Sequence, residues 1–248
     1  MKKAFNYMFL DNKFYTKATI FCIYIILLLY CSIFACNGII PLKFPYNIIL
    51  ILFVLFGHSV SEGYKITIIK STMNIDEKVS ILPIINLKKN FIIGIKYLIA
   101  LLIFSIPFYF VIGAFGFTVG FATMLNMPIV LINLSNILLI ISTLVYLIYL
   151  ICFLPATILI YANSNSIWSF YKFNEIFKLF AINKKEYVKT VLIYYILGII
   201  MEECYRISLI MCNKNIVLLC VALLLSGYII TYLIFVTSFL IARINKNQ

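Results

Sequence analysis

The sequence predicts an all-α, polytopic membrane bundle of six transmembrane helices, and three observations carry that prediction. Hydrophobic residues fill 65% of the 248 positions and charged residues only 11%, too few charges for the polar surface of a soluble domain. Several apolar runs reach the ~20 residues that cross a bilayer core. The basic residues cluster in alternate connecting segments, as the positive-inside rule requires of a multi-pass protein. The expected organisation is one membrane domain over residues 1–248. Its spans lie at about 18–40, 46–62, 90–113, 128–154, 187–211 and 216–241.

The chain opens on an interfacial segment at about 2–12, where Phe5, Met8 and Phe9 share a helical face among lysines. Ala18–Ile40 is the first span, stopped by Pro41. Its basic start resembles a signal peptide, but the apolar run is too long and lacks an A-x-A site. Ile33-Phe34-Ala35-Cys36 fits a lipoprotein cleavage box poorly because of Phe34. Tyr46–Glu62 is the second span, and its helix is expected to continue into the cytoplasm through Gly63-Tyr64-Lys65 to Thr72. The third, Asn90–Gly113, holds Lys96 near enough to its start to snorkel and Pro107, a kink signal. Residues 114–127 carry no charge and admit three readings: an outer loop, an extension of the third span, or a re-entrant turn.

Pro128–Leu154 is the fourth span, with Asn133, Asn136 and Thr143 at helical spacing. Amides in hydrocarbon find partners on other helices, so this stripe is expected to face the bundle. Pro155 is expected to end the span. Asn163–Lys189 then interrupts the apolar pattern with five lysines and the only tryptophan, Trp168. Phe170, Phe173, Phe177 and Phe180 recur at spacings of three and four, which predicts one apolar face of a helix over about 166–182. It is expected to lie on the cytoplasmic membrane surface, against lipid or the inner end of the bundle. The fifth and sixth spans follow, and the fifth is the least apolar.

The formal charge is +12. Such a surplus suits nucleic acid in a soluble protein, but its distribution is topological here. With the N-terminus inside, 17 of the 20 basic residues fall on the cytoplasmic side, and only Lys43, Arg206 and Lys214 fall outside. A cell-membrane protein with both termini cytoplasmic and no nucleic-acid partner is expected. Its partners would be the bilayer, anionic headgroups at roughly 1 kcal/mol per nearby basic residue, and an unidentified membrane protein. Each odd-numbered span also follows a lysine-bearing aromatic segment, which suits either three similar hairpins or positive-inside bias alone.

Three groups of residues are chemical candidates. Glu202, Glu203 and Arg206 lie within the fifth span, where ionisable groups are costly and often functional. Arg206 is three residues from Glu203 and four from Glu202, so it can pair with either and leaves one carboxylate over. The cluster reads as a neutralised anchor near the outer leaflet or as an acidic lining. His58 and Glu62 are one turn apart in the second span, suited to a packing contact or to proton relay. Asn133 and Asn136 form the third group. The seven cysteines include no CxxC pair and no histidine cluster, so no metal site is expected and core thiols are. Neither GxSxG, Walker nor HExxH patterns occur, so neither an enzyme nor a cofactor is expected.

At Gly63-Tyr64-Lys65-Ile66-Thr67-Ile68-Ile69-Lys70-Ser71-Thr72, followed by a short acidic loop and Leu82-Pro83, the chain resembles the prokaryotic integral membrane family DUF4013, a domain of unknown function. Ala4-Phe5-Asn6-Tyr7 and Ser166–Lys189 resemble it too, whereas Ile84-Ile85-Asn86 depart from its acidic and aromatic pattern. The resemblance implies six helices with interfacial helices and no catalytic residue. A non-enzymatic accessory or envelope component, acting through lipid or protein contacts, is the expected function. The alternative is a small permease, or a membrane subunit of an exporter or peptide-immunity system. Convergence of Asn133, Asn136, Glu203 and His58 on one cavity discriminates them.

Overall fold

The computed structural model describes residues 13–37, 46–73, 82–125, 127–182, 184–212 and 215–246, and among these all regular structure is helical. The helices are α1 (Phe14–Asn37), α2 (Tyr46–Met73), α3 (Leu87–Met124), α4 (Ile129–Ser164), a 3-10 turn (Ile167–Tyr171), α5 (Phe173–Ile182), α6 (Lys184–Cys212) and α7 (Ile216–Lys246). Five are long and apolar enough to cross a membrane: α1, α2, α3, the Ile129–Tyr149 part of α4, and α7. The chain is therefore an all-α membrane protein. Helix α6 corresponds to the expected fifth span and has 29 residues, but its charges keep it outside the set of five. The interfacial segment expected at about 2–12 lies outside the described residues.

The closest packing in the bundle is backbone on backbone, where α2 crosses α3. Ser59-x3-Gly63 on α2 meets Asn90-x3-Gly94 on α3. A Cβ on Gly63 would collide with the Asn90 carbonyl, and one on Gly94 with the Ser59 carbonyl. Helices in lipid gain little hydrophobic drive from one another, so small residues that let backbones approach supply the attraction. Thr67 finishes the crossing by donating to Asn90 Oδ1 at 3.1 Å.

The helix continues beyond Glu62 to Met73, as expected, and packs within the bundle there. Gly63, Tyr64, Ile66, Ile68 and Ile69 are all buried. The Tyr64 ring packs against Phe21 of α1, with centroids 4.7 Å apart, and against Phe235 of α7 at 6.2 Å. Its hydroxyl donates to the Pro83 carbonyl at 3.0 Å. The Gly-Tyr pair and Leu82-Pro83, separate in sequence, thus meet in space.

Helix α3 runs through Pro107 to Met124, so residues 114–124 extend the third span. At 1.5 Å per residue its 38 residues reach about 57 Å. The expectation that Pro155 ends the fourth span is corrected: α4 continues through it to Ser164 and stops at Asn165, in the left-handed region with φ 50°. Proline is tolerated inside membrane helices where neighbours satisfy the loosened backbone. Here the Tyr187 hydroxyl donates to the Cys152 carbonyl in the turn before Pro155. At Pro107 the freed carbonyl is that of Ile103, four residues back. Tyr171 donates to it at 3.2 Å.

That bond explains why Asn163–Lys189 is not one helix on the surface. The expected helix over 166–182 is split at Lys172 into the 3-10 turn and α5. The split drops Phe170 into the bundle, where it is fully buried against Tyr97, Phe104 and Tyr161 at 5.9, 5.9 and 6.4 Å. Phe173, Phe177 and Phe180 keep the expected common face, stacking edge-on or tilted against Tyr149 and Phe153 of α4. Trp168 stays outside, 69% exposed. On the outward side, Lys172 pairs with Glu175 at 2.8 Å.

Candidate functional site

A cavity of about 470 Å³ lies between α1, α2, α6 and α7. Apolar side chains form most of its wall, and four ionisable groups enter it: His58, Glu62 and Lys65 from α2, and Glu202 from α6. Ser32, Ser61, Tyr205 and Thr237 add hydroxyls. Along α2 the lining runs from Val54 to Lys65, about 16 Å of helix. Spacing produces this wall, since positions 54, 58, 61, 62 and 65 return to one helical face.

The charges are not distributed evenly. Lys65 lies 3.4 Å from Glu62 Oε2 and donates to the Tyr194 hydroxyl of α6, also at 3.4 Å. Its ammonium also sits 5.5 Å from the centroid of the Tyr194 ring. With side-chain exposures of 13% and 31%, Lys65 and Glu62 form an inward-facing pair. Apart from the Lys65–Tyr194 link, α2 and α6 make little contact with each other. His58 and Glu202 line the space between these helices.

Glu202 and Glu203 separate. Arg206 pairs with Glu203 at 2.8 Å on the outside of the bundle, with exposures of 67% and 45%. Adjacent residues on a helix point about 100° apart, so Glu202 instead lines the cavity while remaining exposed. It has no ion pair among the described residues. Each sequence reading of the cluster therefore has one carboxylate: the anchor geometry belongs to Glu203, the acidic lining to Glu202.

Asn133 and Asn136 are not in the cavity. Asn133 is exposed and Asn136 half-buried on the first half of α4, against the expectation that they face other helices. The reason is that α3 and α4 run past the rest of the bundle there. Gly113, Gly116 and Gly120 of α3 have no neighbour within 4 Å of a would-be Cβ. Thr143 bonds only to its own helix, at the Leu139 carbonyl.

Lys65 was missed as a site residue because it reads as one more cytoplasmic lysine. The available signal was its i,i+3 spacing from Glu62 and seven from His58. Among the described residues, no three His, Cys, Asp or Glu side chains gather as metal ligands.

A family model described as "Protein of unknown function (DUF4013)" matches residues 46–203. The match takes in all four ionisable residues of the cavity and both crossing glycines. No curated protein and no solved structure matches the chain.

Proposed function

Since the chain belongs to the DUF4013 family of proteins of unknown function, we propose a role from its site: it is an accessory membrane component that holds a small ligand within the bilayer. The carrying observation is the convergence of His58, Glu62, Lys65 and Glu202 on one cavity. Isolated ionisable groups are costly at membrane depth and mark substrate or ion pathways. The cavity's volume falls in the range of small-molecule sites, about 300–1,000 Å³. Of Asn133, Asn136, Glu203 and His58, only His58 lines this cavity, so the convergence that would mark a permease or exporter subunit is absent.

The proposal includes a cell-membrane location, six spans and no enzymatic step. Helix α6 counts as a span because it packs along α7, with Ser208 and Ser226 hydroxyls 2.9 Å apart. Both termini are placed on the cytoplasmic side, where exposed Lys172, Lys178, Lys184, Lys185 and Lys189 suit anionic headgroups. Cysteines substituted at Lys43 and Lys184 are expected to react with a membrane-impermeant maleimide from outside and inside respectively. The reverse pattern overturns the orientation.

Native mass spectrometry of the purified full chain tests ligand holding. A small molecule is expected to travel with the wild type and to be lost from Val54→Trp, which fills the cavity. Thermal unfolding confirms that the variant is folded. A bare wild-type protein, or a ligand kept by folded Val54→Trp, contradicts the proposal.

A further inference from the structure

We propose that a groove between α1 and α7 is a lipid site, which holds one acyl chain of a bilayer phospholipid and selects it by the chain alone. The groove has a volume of about 260 Å³ and shares no lining residue with the cavity described above. Residues 14, 18, 22 and 26 of α1 return to one helical face at spacings of four, and 224, 228, 231 and 235 of α7 do so at three and four. Each run covers about 17 Å of helix, close to one leaflet of a ~30 Å hydrocarbon core.

One end of the groove is closed and one side is open. At the end far from Phe14, Ile26 fills the space that a Cβ on Gly227 would occupy, so α1 and α7 touch there. Phe235 forms the floor, with Phe14 and Phe21 packed on it at 6.3 and 5.6 Å between ring centroids. Tyr15, Ile23, Leu224 and Tyr228 are exposed along the rim. Both helices are long and apolar enough to cross the membrane, and the groove lies within those stretches, so its open side faces lipid tails. No lining residue is Asp, Glu, Lys, Arg or His, and an uncharged wall with few polar groups favours hydrocarbon over a polar occupant. The volume falls below the ~300–1,000 Å³ of small-molecule sites and is drawn out along the helices, which suits a single chain. An empty slot would forfeit the dispersion contacts of its walls. A chain lying in it touches both helices and the floor, whereas an ordinary boundary lipid touches one face, and that difference makes this lipid slow to leave. Lys13 and Lys17 stand at the start of α1 but line no part of the groove, so headgroup charge does not decide retention.

The test is native mass spectrometry of the full chain released from nanodiscs of equal parts phosphatidylcholine and phosphatidylglycerol, matched in acyl chains. One phospholipid is expected to survive activation that strips boundary lipid from the wild type, with both headgroups represented. Ala18→Trp, which fills the groove, is expected to lower the lipid-bound fraction on the order of tenfold. Ile23→Trp covers the opening from the exposed rim without touching the floor, and a similar loss there guards against a folding artefact in Ala18→Trp. Val54→Trp, in the other cavity, is expected to leave the lipid in place, and the phospholipid mass tells it apart from a small molecule held in that cavity. A wild type stripped bare, lipid kept by either folded groove variant, loss from Val54→Trp, or retention of phosphatidylglycerol alone overturns the assignment.

Discussion

Replacing Gly63 with leucine is expected to destabilise the bundle by about 3 kcal/mol or more, the upper part of the range for overpacking a core. The obstruction is the Asn90 backbone carbonyl, with Gly94 N beside it. No rotamer change relieves a clash with backbone, so α2 and α3 must separate. Helix propensity pulls the other way, since glycine costs about 1 kcal/mol against alanine in a helix interior. Gly63→Ala therefore sets the two effects against each other, and the collision is expected to win. At Gly116 and Gly120, where nothing lies within 4 Å, propensity acts alone and alanine is expected to be neutral or stabilising. Unfolding of the four variants in one detergent gives the comparison. Equal effects at Gly63 and Gly116 would remove the close crossing from the account.

Lys65→Met is expected to cost about 3–5 kcal/mol, because it leaves Glu62 inside the bundle without its partner. A well-packed apolar pair in place of a buried ion pair is often nearly neutral. The double variant Lys65→Met/Glu62→Leu is therefore expected to recover most of the loss. The exposed Lys172–Glu175 pair is the control: Lys172→Met is expected to cost less than about 1 kcal/mol. A Lys65→Met variant as stable as Lys172→Met would show that the pair is solvated and the cavity wall open to water at that end.

The helices themselves were legible because hydrophobic length and positive charge are local properties. Tyr46 and Ile216 start helices where expected, and α2 ends at Met73, one residue beyond the expected Thr72. What the sequence hid depends on which faces meet. Ser59-x3-Gly63 and Asn90-x3-Gly94 look ordinary until α2 and α3 are laid together. Pro155 reads as a stop in isolation, yet the helix continues where Tyr187 reaches a carbonyl of the preceding turn. Lys65 read as one more basic charge because counting charges along a chain takes no account of the neighbouring helices that engage them.

The candidate site was half legible. His58 and Glu62 were singled out by spacing, and the surplus carboxylate of the Glu202/Glu203/Arg206 cluster follows from counting. Which carboxylate is left over is a matter of helix rotation, fixed only by the packing of α6 on α7. The Asn133/Asn136 stripe failed because burial was inferred from polarity alone. The sequence could not show that the first half of α4 packs against little besides α3.

The central claim is that His58 and Glu202 share one cavity between α1, α2, α6 and α7. Cysteines substituted singly at His58, Glu202 and Asn133 in a cysteine-free chain test it, using a small cationic methanethiosulfonate reagent. Positions 58 and 202 are expected to react and to outpace position 133, on the outer face of α4. Failure of both cavity positions to react, or reaction of one of them at no more than the pace of position 133, contradicts the claim.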